Sequence, residues 1–423
     1  MADALPRHLL PDNAEIGPGG RLSIGGIDVV QLADEHGTPL FVYDEDHLRA
    51  RCREAVAAFG PGNAAYASKA FLCRAMAALA HEEGMHLDVA TGGELHVALA
   101  AGVPPSSLVL HGNNKSTDEL ARARELGVRI VVDSFDELDR LEALYDADGI
   151  VARVLVRVTP GVEAHTHEYV MTGQVDSKFG FGVASGDADE ALARAAKSPA
   201  TDLVGVHAHI GSQIFLVRSF EKAVEVLAGF VRPLDVEELC LGGGLGVAYV
   251  EGEEAPSITE WAQTLRGACA AAGITARVTA EPGRAIVAAA AVTLYRVGTV
   301  KDIPGVRTYV SVDGGMSDNP RPVLYGSGYE AFLPRAAGAD RPRAVTVVGK
   351  HCESGDLVVR DAWVPADLAV GDVLCTPVTG AYGHSMASNY NKVPRPPVVF
   401  VSGGQARVVV RRETLDDLLR LDG

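Results

Sequence analysis

Eight short runs of small and β-branched residues recur through the middle of this 423-residue chain, each followed by a turn and an amphipathic stretch. They are AAYASK (64–69), HLDVA (86–90), LVLHG (108–112), IVVDS (130–134), VLVRVTP (154–160), LVGVHAHIG (203–211), ELCLGGG (238–244) and RVTAEPG (277–283). Between them, segments such as FLCRAMAALAHEEG and SFEKAVEVLAGFV set apolar residues three and four apart, the spacing that lines one face of a helix. Eight strands alternating with helices predict an α/β fold, and the count favours a (β/α)8 TIM-type barrel. A doubly wound open sheet fits the same alternation.

After EPGRAIVA the rhythm changes. AVTLYRVGTVKDI, RTYVSVDGG, RAVTVVGKHCESGD, DVLCTPVTG and PVVFVSGGQARVVVRRET read as strands broken by Gly, Pro and Asp turns, which predicts a mostly β C-terminal domain. The expected division is residues 1–44 as an N-terminal segment packing with the β domain, 45–289 as the barrel and 290–423 as the β domain. A chain of this length exceeds what one hydrophobic core usually supports.

The net charge of −17 argues against nucleic acid or an anionic membrane as partner, since both require basic surfaces. The N-terminal stretch lacks the apolar core of a signal peptide, and no apolar run is long enough to span a bilayer. Six scattered cysteines without a CxxC fit reduced thiols, so a cytoplasmic protein is expected.

Barrel active sites lie at the C-terminal strand ends. The first strand ends at Lys69, one of only eight lysines in the chain. A lone lysine is ordinarily a solvated cap, but among Ala67, Ala70 and Phe71 it could form a Schiff base. The sixth strand runs into HAHIGSQ, where His207 and His209 alternate by two and Ser212 follows. An HxH metal pair competes with an imidazole stacked on a planar ring. No matching ligand set is evident at other strand ends, so no metal is expected. The seventh strand ends in GGGLG, with Gly243, Gly244 and Gly246, whose lack of Cβ lets backbone approach a phosphate. The eighth ends in EPGR, placing Glu281, Gly283 and Arg284 at the same mouth. An amine, a ring-stacking imidazole, a phosphate cradle and an acid for a pyridinium nitrogen are the functions pyridoxal 5′-phosphate needs.

The segments YASKAF, DVATGGEL, HGNNKS, EAHTHEY, HIGSQI, GGGLG, EPGRAIV, VDGGMSDNPRPVLYG, KHCESGD and GAYGHSMASNYN resemble those of the diaminopimelate decarboxylases, alanine-racemase-like pyridoxal phosphate enzymes, over nearly the whole chain. Phe71 stands where asparagine is common in that family, a change that leaves the cofactor chemistry untouched. The resemblance implies that Lys69 carries the cofactor, that His209 stacks on its ring and that Glu281 pairs with its nitrogen. It assigns the phosphate to Ser212, Gly243, Gly244, Gly246, Gly283 and Arg284, helped by Tyr382. Arg284, Arg321, Tyr325, Glu353 and Tyr382 would hold the substrate, and Cys352 would protonate the carbanion. The KHCESGD segment would come from the partner of a homodimer with shared active sites.

The implied reaction is decarboxylation of meso-2,6-diaminopimelate to L-lysine. A decarboxylase of ornithine, arginine or carboxynorspermidine, a metal-dependent hydrolase and a non-catalytic relative are the alternatives. Against the first stands a distal site equipped for both a carboxylate and an amine. The segment 163–182 has the length and glycines to close over a substrate.

Overall fold

The computed structural model describes residues 4–161, 177–215 and 218–423; residues 162–176, most of the expected substrate loop, lie outside them. The chain divides into two compact units, one of Arg51–Gly246 with Ala255–Ala285, the other of the chain up to Ala50 with Val247–Glu254 and Ile286–Gly423.

In the first unit all eight expected runs are strands: Ala65–Ala67, His86–Val89, Leu108–Leu110, Arg129–Val132, Ala152–Thr159, Thr201–His207, Glu238–Cys240 and Arg277–Thr279. They pair in parallel in chain order. Closure decides between barrel and open sheet. Ala65 N donates to Ala280 O at 2.9 Å, Ala67 N to Pro282 O at 3.2 Å and Ala280 N to Asn63 O at 3.0 Å, so the first strand bonds to the eighth. A short ninth strand, Phe181–Gly182, pairs with the fifth. Val109, Val131, Leu155, Val204 and Cys240 meet inside the barrel.

Local chemistry starts the outer helices. Ser116 and Glu119 form a capping box on Thr117–Glu125, as do Ser257 and Glu260 on Ile258–Ala271. The helix Arg218–Val231 buries Phe220, Ala223, Val224, Leu227, Ala228 and Val231 as one apolar stripe, with the Phe220 ring centroid 5.6 Å from that of Trp261 on Ile258–Ala271. Between strands six and seven only a glycine fits at 205, where a Cβ would stand 2.5 Å from Glu238 O.

The N-terminal strand ends carry an ionic plug. The Glu238 carboxylate accepts from Arg129 at 2.6 Å, Arg277 at 2.7 Å and Thr279 at 2.7 Å. Arg129 also reaches His86 Nδ1 at 3.1 Å.

The second unit is mostly β. The strand Leu40–Asp44 lies between Ala291–Ile303, to which it is antiparallel, and Val398–Ser402, to which it is parallel. The 13-residue strand Ala291–Ile303 pairs with Leu40–Asp44 as far as Leu294 and with Val373–Pro377 as far as Arg296, then from Val297 with Arg307–Val312, with a bulge at Gly298. Residues 247–254 fall inside the range expected for the barrel yet belong here. Arg341 reaches Glu251 at 3.3 Å, and the Arg321 guanidinium lies 4.2 Å from the Tyr249 ring centroid. A buried arginine holds that excursion in each case.

Candidate active site

The C-terminal strand ends of the barrel gather a chain of ionisable groups. Lys69 sits on the single turn Ser68–Ala70 after the first strand, and its Nζ is 3.6 Å from Asp88 Oδ2 on the second. Asp88 Oδ1 is 3.7 Å from His111 Nε2 at the end of the third strand. That same nitrogen is 2.8 Å from Glu281 Oε1, while His207 Nε2 is 3.0 Å from Glu281 Oε2. The two imidazoles meet edge to face with centroids 4.9 Å apart. Asp88, His111, His207 and Glu281 are all buried.

Burial alone would raise the Glu281 pKa, but the flanking histidines hold it well below the usual carboxylate range. Burial lowers the pKa of His207, so its ring is neutral near neutrality. Its Nδ1 is buried with no hydrogen-bond partner among the described residues, which leaves the proton on Nε2, facing Glu281.

The HxH pair divides its work. Strand pairing ends at His207, which serves Glu281, while His209 Nδ1 accepts from Gly243 N at 3.2 Å. Burial, then the nearby Lys69 and Arg157 cations, hold His209 well below its ordinary pKa. A neutral ring suits stacking better than a charged one. Among the described residues, the set that could approach a metal is His111, His207 and Glu281, with donor atoms within 4.8 Å, and His209 is outside it. Both histidines already lie close to the carboxylate, His207 hydrogen-bonded to it and His111 in ion-pair contact at 2.8 Å.

The glycines act first by leaving space. A Cβ on Gly243 would be 2.3 Å from Glu281 O, and one on Gly244, whose φ is +111°, would be 2.3 Å from Gly211 O. On Gly283 it would be 2.9 Å from Ala67 Cβ. Gly243 N is given to His209, and Gly246 N donates to Ile214 O at 3.0 Å, so these two N–H groups brace the mouth. Ile214 N donates in return to Gly244 O at 2.9 Å. Arg284 Nη2 donates to Ser212 Oγ at 2.9 Å, joining two of the expected phosphate ligands.

The other expected residues belong to the β unit. Arg321 opens the five-residue helix Arg321–Tyr325 and is buried, donating to Tyr329 Oη at 2.5 Å. Burial opposes its charge, but Tyr249 and Tyr329 raise its pKa above the ordinary value. Tyr325 is half-buried, as is Tyr382, which takes a left-handed φ of +59°.

Cys352 and Glu353 are exposed, on a loop that Asp356 anchors from within. The Asp356 carboxylate accepts from Met316 N at 2.6 Å, His351 N at 2.9 Å and His351 Nδ1 at 2.8 Å. Asn391 Oδ1 accepts from Cys352 N at 2.9 Å. The crowded ionisable groups of GKHCESGD thus divide into His351 and Asp356, which build the loop, and Cys352 and Glu353, which it presents.

Sequence reasoning passed over Asp88 and His111. Both end strands, in HLDVA and LVLHG, so reading every strand end for titratable groups would have found them.

Residues 45–288 match the pyridoxal-binding domain of the pyridoxal-dependent decarboxylases. The chain is 49% identical to the diaminopimelate decarboxylase of Mycobacterium tuberculosis, over 99% of this chain and 98% of that protein. To that of Bacillus subtilis it is 46% identical over 95% of each. The solved diaminopimelate decarboxylase of M. jannaschii, 33% identical, superposes with a TM-score of 0.90 over 97% of this chain and 98% of its own, and is also known in complex with L-lysine. That of Helicobacter pylori, complexed with L-lysine, gives 0.85 at 33% identity over 93% and 99%.

Proposed function

Because this chain belongs to the diaminopimelate decarboxylase family, we propose that it removes the carboxylate at the D-centre of meso-2,6-diaminopimelate, releasing L-lysine and carbon dioxide as the last step of lysine synthesis. The observation that carries this reading is the assembly of Lys69, Asp88, His111, His207 and Glu281 at one end of the barrel.

Pyridoxal phosphate fits this donor set. Lys69 Nζ would bind it covalently, His209 would meet its ring face and Glu281 its ring nitrogen. Ser212, Arg284 and the space left by Gly243, Gly244, Gly246 and Gly283 suit the phosphate, with Tyr382 as a further ligand. When bound, that group supplies an electron sink for the pair left behind as CO2 departs.

The chain's own residues do the rest. Glu281, held as an anion, would favour a protonated ring nitrogen. Arg321, cationic although buried, would pair with the distal carboxylate together with Arg284 and Tyr325, and Glu353 with the distal ammonium. A substrate lacking the distal carboxylate would forgo its pairing with the buried Arg284 and Arg321, a basis for discrimination. Cys352 Sγ would deliver a proton to the carbon that lost CO2.

Cys352 and Glu353 are exposed on the single chain, as expected of groups that complete a second subunit's site, and a homodimer with shared sites accounts for this. Among the described residues no helix is long and apolar enough to cross a membrane. Six free thiols, five of them buried, suit a reducing cytoplasm.

The test is lysine release from meso-diaminopimelate with added pyridoxal phosphate, with LL-diaminopimelate, ornithine and arginine in parallel. Lysine from the meso isomer alone is expected. Turnover of ornithine or arginine instead would overturn the substrate.

A further inference from the structure

Two imidazoles on one buried carboxylate are more than a cofactor contact requires. Glu281 Oε1 has His111 Nε2 at 2.8 Å and Oε2 has His207 Nε2 at 3.0 Å, so each oxygen has its own nitrogen neighbour. The rings come from different strands, the third and the sixth, and hold each other edge to face. Glu281 N is itself fixed, donating to Gly242 O at 2.7 Å.

We propose that His111 and His207 act jointly as positioning residues that clamp Glu281 and thereby decide on which atom the proton between Glu281 and the cofactor's ring nitrogen resides. This rests on the function proposed above.

The reasoning is a competition between two bases for one proton. A buried carboxylate without donors is a strong base, because the low-dielectric surroundings disfavour its charge, and it would take the proton back from a pyridine nitrogen. Each N–H donated to the carboxylate stabilises the anion and weakens it as a base, so the proton moves to the ring. A protonated ring withdraws electrons strongly. A neutral one does so weakly, and carbanion formation suffers. Among the described residues, the other charged or titratable groups near this cluster are Lys69, Asp88, Glu94, Arg157, His209 and Cys240, with His209 following the same strand as His207. Of these, Asp88 opposes a second negative charge nearby, and the cations Lys69 and Arg157 favour it.

The experiment replaces both histidines by leucine, which removes the donors, and separately by glutamine, whose terminal N–H can reach where Nε2 stands. Each holoenzyme is loaded with pyridoxal phosphate labelled with nitrogen-15 in the ring, and the nitrogen chemical shift is followed from pH 6 to 9. The wild type and the glutamine pair should show a protonated ring nitrogen, and the leucine pair should shift toward the unprotonated form. The kcat of the leucine pair should fall on the order of 10–100-fold with KM changed less than about threefold, the split expected when a group acts only after binding. If the leucine pair does not fold, the asparagine pair, too short to reach Glu281, takes its place. A ring nitrogen equally protonated in the donorless pair and the wild type overturns the clamp and leaves the proposed function standing. A wild type that takes up no cofactor overturns the proposed function, and the clamp with it.

Discussion

Lys69 Nζ stands 3.6 Å from the buried Asp88 carboxylate, with the lysine side chain half exposed at the barrel mouth. The acid orients an amine that remains open to an incoming carbonyl. An ordinary surface ion pair would have both ends in water and would contribute little.

Lys69→Ala should leave the fold in place at a cost of about 1–3 kcal/mol, because the buried Asp88 carboxylate loses this cation. Lysine release should drop by at least roughly 10³-fold. Borohydride reduction followed by mass spectrometry should find the cofactor attached to Lys69 in the wild type and no adduct in the variant. An adduct that persists in Lys69→Ala would place the covalent site elsewhere.

Gly243→Ala and Gly244→Ala put a methyl group 2.3 Å from a carbonyl oxygen, Glu281 O in one case and Gly211 O in the other. Overpacking of this kind costs about 1–3 kcal/mol. The loops that must yield are those carrying Glu281 and Ser212, so pyridoxal phosphate affinity should fall along with the melting temperature. Gly102→Ala is the control, since nothing lies within 4 Å of its added Cβ. Its positive φ adds backbone strain, so it should lower the melting temperature modestly and leave cofactor affinity unchanged.

Cys352 is exposed in the single chain, so Cys352→Ala should be neutral for stability within about 0.5 kcal/mol. Turnover should fall about 10²- to 10⁴-fold, as for other lost proton donors. Mixed with Lys69→Ala under conditions of subunit exchange, it should restore activity to about a quarter of wild type, because half the dimers formed carry one intact site. Verified exchange without recovery would mean that each subunit completes its own site.

His86 gives a pH prediction at the opposite end of the barrel. Burial first, and then the adjacent Arg129, lower its pKa from 6.5 to about 4. Between these values the unfolded chain binds the proton and the folded one does not, so stability declines as pH falls from 6.5 toward 4. The contribution is about 1–2 kcal/mol, less than the full shift because the ring is partly solvated. His86→Gln should flatten the pH dependence of urea unfolding in that window. An unchanged slope would assign the acid sensitivity to other groups.

The barrel was legible because its signal is periodic. Each of the eight runs alternates with an apolar stripe, and every one of them became a strand. Closure was not legible, since it rests on backbone bonds such as Ala65 N to Ala280 O, which carry no side-chain mark. The same holds within the site. Lys69, His209 and Glu281 stand in recognisable motifs, whereas the partnership of Glu281 with His111 exists only once the third and eighth strands occupy the same ring. Period-two alternation placed His207 and His209 as equals, but the strand stops at His207 and each ring finds a different partner. Residues 247–254 read as part of the barrel because nothing in their composition records the pull of Arg341 on Glu251.

The strand Leu40–Asp44 has its partners at Ala291–Leu294 and Val398–Val401. During synthesis it leaves the ribosome well before its partner Val398–Val401 and waits for it. At translation rates of about 5–20 residues per second the wait lasts roughly twenty seconds to over a minute. All five of its residues are buried in the finished sheet, among them Leu40, Phe41, Val42 and Tyr43, so throughout that interval a sticky edge is exposed to the cell. Meanwhile every barrel strand has been made by residue 279, so that unit can fold first. Truncation near the C-terminus would then strand the N-terminus as well, and the yield of intact protein would depend on whatever shields those first fifty residues until Val398–Val401 emerges.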